Sequence, residues 1–169
     1  MKNKSLLPAL AIILILSAFK APAPGYEIGT TVKDFSLKST AGEVVGLANL
    51  PDDTKGAIIV FTCNHCPFSQ AYENRIIDLH NKYAGKGYPV VAINSNDPAV
   101  VPEDSYEEMI ARANEHKYPF NYLFDETQEV ATNFGAARTP HVFIVQKVKS
   151  NYVVKYIDAI DDNTDDEKA

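Results

Sequence analysis

Two apolar runs without polar alternation lie near the middle of the chain, at residues 57–62 and 89–93. Strands of this composition are typically covered on both faces, as in a parallel sheet. Between the runs, apolar residues recur at helical spacing and predict one amphipathic helix; they are Phe68, Tyr72, Ile76, Leu79 and Tyr83. Gly85 and Gly87 then end this helix. Residues 57–93 are therefore predicted to form a strand–helix–strand unit with parallel strands.

Shorter patterns flank this unit. Alternation at residues 31–37 predicts a short edge strand, and the apolar run 44–47 predicts its partner. Ser105 with Glu108 three residues later forms a capping box, which opens a helix. A strand, a short helix and two strands joined by three residues follow, at 120–124, 127–134, 142–148 and 152–157. The last two strands are predicted to form an antiparallel hairpin.

This order of elements predicts an α/β fold in which a mixed central sheet lies between helices, a three-layer sandwich. The chain has 169 residues, of which 46% are hydrophobic and 22% charged, as expected for one compact domain. We place this domain at residues 26–160, and we find no internal repeat. The sequence does not indicate an oligomeric state.

The N-terminus resembles an export signal. Lys2 and Lys4 precede an apolar run from Leu6 to Phe19, and residues 21–23 (Ala-Pro-Ala) form a small-x-small cleavage site. We therefore expect residues 1–23 to be a cleaved signal peptide and the protein to be exported, to the periplasm. The alternative is an uncleaved membrane anchor, although spanning a bilayer takes roughly 20 apolar residues and this run is shorter.

Charge limits the possible partners. Residues 1–23 contain three lysines and no acid, so the remaining chain has 13 basic and 22 acidic residues. Such a surface disfavours binding to nucleic acid or to anionic membranes. Residues 161–169 are rich in acids and are predicted to form a solvated tail.

The only two cysteines, Cys63 and Cys66, lie between the first buried strand and its helix. In an oxidising compartment they could form a structural disulfide, but a bridge across two residues constrains the unfolded chain very little. Thiol–disulfide exchange, in contrast, needs one attacking thiolate and a second thiol close by. The spacing therefore indicates a redox pair or half of a metal site.

The helix N-terminus suggests separate roles for the two thiols. Its unpaired N–H groups and positive dipole stabilise a thiolate. We expect Cys63 to be the exposed attacking thiol and Cys66, inside the first turn, to be the resolving thiol. His65 lies between them and, when protonated, would favour the Cys63 thiolate; alternatively it faces solvent without a role. The pair should lie in a crevice at the carboxyl ends of the strands, with the polar loop 94–98 as one wall.

Thr139 and Pro140 directly precede an apolar strand, where proline is unusual. A cis peptide there would place the Thr139 backbone where an extended substrate can pair with it. From the residues alone, a trans proline in a loop is favoured, since roughly 5–6% of such bonds are cis in folded proteins. Thr139 and Asn64 are the candidate substrate-binding residues.

The order of these elements resembles that of the thioredoxin superfamily: a strand leads into Cys-x-x-Cys-Pro, a helix and a parallel strand follow, and Thr-Pro precedes a hairpin. The chain is most similar to the exported redoxin branch, the TlpA- and ResA-like oxidoreductases related to AhpC/TSA proteins; segments 34–37 and 125–135 also match this branch. The resemblance implies a thioredoxin-like fold and a cis Pro140 packed against the cysteines. It also implies an enzyme without cofactor or metal that reduces, rather than oxidises, disulfides of client proteins and is recharged by a membrane-bound thiol donor.

Three features depart from that pattern. Ala57 and Ser69 occupy the positions where relatives carry a buried acid or a glutamate, so the proton acceptor for Cys66 is unassigned. The Asn-His dipeptide shares its histidine with the oxidising DsbA family, which leaves the direction of electron flow open. The family's closing helix has no counterpart after the hairpin, so one sheet face is expected to be exposed, covered by a partner, or stripped by truncation.

Three other functions remain as alternatives. A peroxiredoxin-like thiol peroxidase would align its cysteine with Cys66, but Cys63 then stands where that family has a threonine. A metal-binding module could hold Cu(I) or Zn²⁺ with Cys63, Cys66 and either His65 or His141, although no second cysteine–histidine pair is present. The last alternative is a noncatalytic protein that retains the fold.

Overall fold

The computed structural model describes residues 25–163. Eight strands form one mixed sheet in the order β1-β8-β7-β4-β5-β6-β2-β3. The strands are β1 (Thr31–Val32), β2 (Leu37–Ser39), β3 (Val44–Val45), β4 (Gly56–Phe61), β5 (Val90–Asn94), β6 (Asn121–Phe124), β7 (His141–Val148) and β8 (Asn151–Asp158). The predicted signal peptide and residues 164–169 of the predicted tail lie outside the described residues.

Helices cover both faces of the sheet and are α1 (Pro67–Tyr83), α2 (Tyr106–Glu115) and α3 (Glu129–Phe134). On one face, Ile76 of α1 and Met109 of α2 pack against the strands. On the opposite face, Val130 and Phe134 of α3 do so. This layering, with both parallel and antiparallel strands, confirms the predicted thioredoxin-like α/β fold.

The central strands pair as predicted. All six residues of β4 are buried, and β4 runs parallel to β5, which in turn runs parallel to β6. β7 pairs antiparallel with both β4 and β8. Asn151 already pairs with Val148, so the hairpin loop consists of the two residues Lys149 and Ser150, rather than the three predicted. Because β4 and β5 are neighbouring parallel strands, their carboxyl ends lie side by side at the same end of the sheet.

Residues 31–37 do not form the single strand predicted. β1 pairs with β8 at one edge of the sheet, whereas β2 pairs with β6 and β3 near the other. Between them, Asp34 Oδ1 accepts hydrogen bonds from the backbone N–H groups of Phe35 and Leu47, which turns the chain away from the strand direction. The alternation correctly indicated extended backbone, but it could not show that this segment forms two strands at opposite sides of the sheet.

The first turn of α1 also differs from the prediction. Tyr72 and Ile76 are buried, but Phe68 is 61% exposed. Phe68 lies where α1 begins, beside the sheet edge at which β4 ends. A large apolar side chain is therefore available on the surface next to the cysteine motif.

The start of the predicted acidic tail is packed against α1. Asp161 accepts hydrogen bonds from the Tyr72 hydroxyl and the Arg75 guanidinium, both at 2.6 Å. Its side chain is only 13% exposed. The prediction of a solvated segment is therefore wrong at Asp161, because two polar groups of α1 bind its carboxylate.

An apolar groove of about 630 Å³ lies between α1 and the β7–β8 hairpin. It is lined mainly by Ile58, Leu79, Tyr83, Val142, Ile144 and Ile160. Among residues 25–163, no helix follows β8 over this groove. Within the same range, no helix has both the length and the apolar character needed to cross a membrane.

Candidate active site

The two cysteines lie at the junction of β4 and α1, as predicted, but their environments are the reverse of those expected. Cys66 is the N-cap of α1, with Pro67 at the first helical position, where proline is well tolerated. Cys63 is only 4% exposed, whereas Cys66 is partly exposed. The prediction that Cys63 is the exposed thiol is therefore wrong, because the chain turns inward between β4 and the helix.

Both thiols are free and contact Thr139. Sγ of Cys63 lies 3.3 Å from Oγ1 of Thr139 and 3.5 Å from Oγ of Ser69. The Cys66 thiol donates to the backbone carbonyl of Thr139 at 3.6 Å. Ser69, at the position where relatives carry a glutamate, therefore contacts the first cysteine of the pair.

These surroundings shift the pKa values of the two thiols in opposite directions. Burial raises the pKa of Cys63 above its usual 9.0, and the negative charge of Asp104 raises it further. Hydrogen bonds with the hydroxyls of Thr139 and Ser69 lower this pKa but do not offset the effect of burial. Partial burial also opposes ionisation of Cys66. However, hydrogen bonds from the Thr139 side chain and from the backbone N–H groups of Ser69 and Phe68 outweigh it and lower the pKa of Cys66. Cys66 is thus the thiol more readily converted to thiolate.

Asp104 is a central site residue that the sequence analysis missed. Its side chain is fully buried. Oδ1 accepts from the Asn64 backbone N–H at 2.5 Å and from Asn94 at 3.0 Å, whereas Oδ2 accepts from Asn96 at 2.7 Å. Burial opposes ionisation, but these hydrogen bonds and that to His65 lower the pKa of Asp104 overall. The buried carboxylate of Asp104 therefore connects the cysteine motif, through Asn64, to the predicted polar loop 94–98, through Asn94 and Asn96.

Asn64 and His65 both belong to this network. Asn64 donates from Nδ2 to the Glu103 carbonyl at 2.8 Å and accepts at Oδ1 from the buried Tyr122 hydroxyl at 2.9 Å. Its position therefore does not support the predicted contact with substrate, since its amide is used inside the protein. Nδ1 of His65 lies 2.5 Å from Oδ2 of Asp104, although 42% of the histidine side chain is exposed. His65 is thus oriented by Asp104 rather than free in solvent.

The Thr139–Pro140 peptide bond is cis, as the resemblance implied. Pro140 is buried and Thr139 partly exposed. A groove of about 740 Å³ lies between the 95–101 loop and α3, and its lining includes Thr139 together with Phe61, Ile93, Val101, Ala131 and Ala136. Thr139, which lines this groove, is also the residue that contacts both thiols.

The residues do not favour a metal centre. Donor atoms of Cys63, His65 and Asp104 lie within 4.8 Å of one another. However, both Asp104 oxygens already accept hydrogen bonds from nitrogen donors, which a metal ion would have to replace. His141 is not part of this group; its Nδ1 accepts from the Ala137 backbone N–H at 3.3 Å. A buried acid whose hydrogen bonds are satisfied is better suited to orienting the motif than to binding an ion.

The fold and the paired thiols define a thioredoxin-like thiol–disulfide oxidoreductase. The chain belongs to the AhpC/TSA family, whose model matches residues 28–156. This confirms the resemblance drawn from the motif order. No curated protein matches significantly.

Solved structures share this fold. An uncharacterized conserved protein from Geobacillus kaustophilus shares 40% identity over 81% of this chain and 71% of its own, with a TM-score of 0.75. The thioredoxin domain of a thiol–disulfide oxidoreductase from Bacteroides vulgatus shares 15% identity over 80% of this chain and 91% of its own, with a TM-score of 0.63. A peroxidoxin from Mycobacterium tuberculosis shares 20% identity over 75% of this chain and 81% of its own, with a TM-score of 0.60. The latter two show the fold alone.

Proposed function

We propose that this protein is an exported oxidoreductase that reduces disulfide bonds of client proteins with Cys63 and Cys66. The observation that carries the proposal is the meeting of two free thiols at Thr139, a residue that also lines an open groove. Backbone groups beside such a groove can pair with an extended peptide and hold its disulfide near the thiols. Pro140, buried directly after Thr139, fixes the position of this backbone.

The cycle consists of two exchanges and a recharging step. One thiolate attacks a client sulfur, which forms a mixed disulfide and releases the other client sulfur as a thiolate. The second thiol of the pair then loses its proton and attacks the mixed disulfide. The client leaves reduced, and Cys63 and Cys66 are joined in a disulfide. A membrane-bound thiol donor reduces this disulfide and restores both thiols.

Export is supported by the lysines and the apolar run that precede the cleavage site. Expression of the full chain in a bacterial host, followed by fractionation and mass spectrometry, tests this part of the proposal. We expect a periplasmic protein whose chain begins after Ala23. A full-length chain in the membrane fraction would instead support an anchor, and a full-length chain in the cytosol would contradict export.

Reduction of insulin with dithiothreitol as electron donor tests the activity. Because each exchange needs one thiol of the pair, we expect Cys63→Ser and Cys66→Ser each to reduce the rate to that of the reaction without enzyme. A matched control is Ser150→Ala in the hairpin loop, which should retain the wild-type rate. Unchanged insulin reduction in either cysteine variant would contradict the proposal.

The reduction potential of the pair tests the direction of electron flow. A value near that of thioredoxin, roughly −270 mV, is expected for a reductase. A value near that of DsbA, roughly −120 mV, would show that the protein oxidises its clients instead.

One observation favours a second candidate function, peroxide reduction. Cys66 is partly exposed at a helix N-terminus, and its lowered pKa suits attack on a peroxide. The Cys66 thiolate would attack one peroxide oxygen, so that the O–O bond breaks, the other oxygen leaves as water or an alcohol, and Cys66 becomes a sulfenic acid. The Cys63 thiol would then attack the Cys66 sulfur, which forms the disulfide and releases the sulfenic oxygen as water. Rapid consumption of one equivalent of peroxide by the reduced protein, lost in Cys66→Ser and retained in Cys63→Ser, would establish this function.

A further inference from the structure

We propose that the apolar groove between α1 and the β7–β8 hairpin binds a free amphiphile with one alkyl chain and an anionic head, the chemistry of a long-chain carboxylate. This groove is separate from the redox site, because its lining does not include Thr139 or Ser69, the residues that contact the thiols. The proposal therefore goes beyond thiol–disulfide exchange and does not depend on it.

The size and the lining of the groove suit an alkyl chain. Its volume of about 630 Å³ lies within the range of small-molecule sites, roughly 300–1,000 Å³. Ile58 and Val142 are buried members of a core cluster, against which the partly buried Leu79, Ile144 and Ile160 pack. All five side chains line the groove. An alkyl chain placed there would remove apolar surface of both molecules from water.

The charge of the groove selects the head group. Both charged residues in the lining are lysines, Lys86 and Lys155, although the chain has 22 acidic and only 16 basic residues. Both lysines are exposed, and within residues 25–163 no acid forms an ion pair with either. The Lys86 ammonium lies 4.9 Å from the ring centroid of Tyr83, another lining residue. An anionic head can therefore pair with an ammonium group while its chain lies on the apolar floor.

The acids nearest in sequence do not cancel this positive charge. Asp158 and Asp161 directly flank the lining residues Ala159 and Ile160. Asp158 accepts from the Arg138 guanidinium at 2.7 Å, and Asp161 accepts from that of Arg75 at 2.6 Å. Each carboxylate is thus compensated by an arginine.

Two other occupants fit the groove less well. Residues 164–169 contain three acids and one lysine but no apolar side chain larger than alanine, so they cannot fill an apolar groove. An anionic membrane would have to approach a surface on which acids exceed bases, which is unfavourable. A free molecule with a single negative charge meets neither obstacle.

Calorimetric titration with octanoate, decanoate and dodecanoate, below the concentration at which each forms micelles, tests the proposal. The protein is purified after expression of the full chain. We expect saturable binding whose affinity rises with chain length, by at most about fourfold for each added CH₂ group. Dodecyltrimethylammonium has the same alkyl chain as dodecanoate but a cationic head, and it should bind more weakly.

Charge variants test the head-group site. Exposed ion pairs are weak, so we expect Lys86→Gln combined with Lys155→Gln to lower the affinity for dodecanoate by only about two- to tenfold. The preference for dodecanoate over dodecyltrimethylammonium should be lost in this variant. The matched control combines Lys117→Gln with Lys149→Gln, at exposed positions outside the groove lining, and should keep the wild-type preference.

An apolar variant tests the site of the chain. Ile160→Ser should lower the affinity for dodecanoate severalfold, whereas Val148→Ser, at a 44% exposed position outside the lining, should not. Circular dichroism verifies folding, and Leu79→Ala replaces Ile160→Ser if that variant does not fold.

Three results would overturn the proposal. The first is no binding of dodecanoate, or binding that neither the lysine variant nor the apolar variant weakens. The second is binding to phosphatidylglycerol vesicles without binding of free dodecanoate. The third is a dimer in sedimentation velocity that Ile160→Ser converts to a monomer, because a second copy of the chain would then cover the groove.

Discussion

Replacement of Asp104 by asparagine should lower the free energy of unfolding by about 3 kcal/mol, because a charged acceptor of several buried hydrogen bonds is lost. An amide can accept at only one end. Its NH₂ group would then face N–H donors, either those of Asn64 and Asn94 or those of Asn96 and His65. Urea unfolding of the reduced protein measures the loss. The matched control is Asp52→Asn, which makes the same change at an exposed position and should leave stability nearly unchanged.

This loss should depend on pH. The pKa of Asp104 is lower in the folded protein than its usual 3.8, so its contribution is complete above that value and disappears as the pH falls through the lowered, folded value. The difference in stability between wild type and Asp104→Asn should therefore be constant near neutral pH and shrink in acid below about pH 4. A difference that does not change with pH would mean that the charge of Asp104 is not the cause.

The same variant should change the chemistry at Cys63. The charge of Asp104 raises the pKa of Cys63, so its removal should lower the pH midpoint of Cys63 alkylation in a Cys66→Ser background. A purely structural acid, remote from the thiol, would not shift this midpoint. An unchanged midpoint in a folded Asp104→Asn variant would contradict electrostatic coupling between the two residues.

Replacement of Phe143 by alanine should cost about 3–5 kcal/mol of stability, because it removes a fully buried ring from the core. The ring centroid of Phe143 lies 5.7 Å from that of Phe61, 5.1 Å from that of Phe134 and 4.5 Å from that of His141. Phe61 ends the strand that leads to Cys63, and His141 follows Pro140 directly. The cavity would therefore lie next to the strand end that leads to Cys63 and next to the residue that follows Pro140.

Urea unfolding of Phe143→Ala and Phe143→Leu, with Phe68→Ala as control, tests this expectation. Leucine fills part of the space, so its cost should be smaller than that of alanine. Phe68 is 61% exposed, so its removal should change stability by no more than about 0.5 kcal/mol. Equal losses at Phe143 and Phe68 would show that the aromatic cluster is not a principal part of the core.

Local patterns were sufficient for the parts of the fold that local chemistry determines. The apolar run of β4 predicted a strand buried on both faces, and the stripe on α1 predicted the helix that follows it. Alternation at 31–37 predicted extended backbone but could not distinguish one strand from two, since edge strands are defined by their partners. The cis bond before Pro140 could be expected only from the resemblance, because the residues alone are compatible with a trans proline.

The main feature missed in the site depends on contacts distant in sequence. Asp104 precedes the Ser105 cap and has the local appearance of an acid near a helix start. Its bond to the Asn64 backbone spans 40 positions, and no local periodicity reports such a pairing. The reversed exposure of the cysteines has the same origin, because this bond holds the Cys63–Asn64 turn inside the fold. Sequence spacing therefore identified the reactive pair but not which member faces solvent.

The hydrogen bonds of Asp104 join the cysteine turn to Asn94 and Asn96, at the start of the loop that forms one wall of the Thr139 groove. A shift of the Asn64 backbone when Cys63 and Cys66 become oxidised would therefore be transmitted to that wall. The reduced and oxidised forms would then hold the same client with different affinities, and by linkage a bound client would shift the redox equilibrium of the pair by the same factor. Release of the reduced client and electron transfer would in this way depend on the same conformational equilibrium.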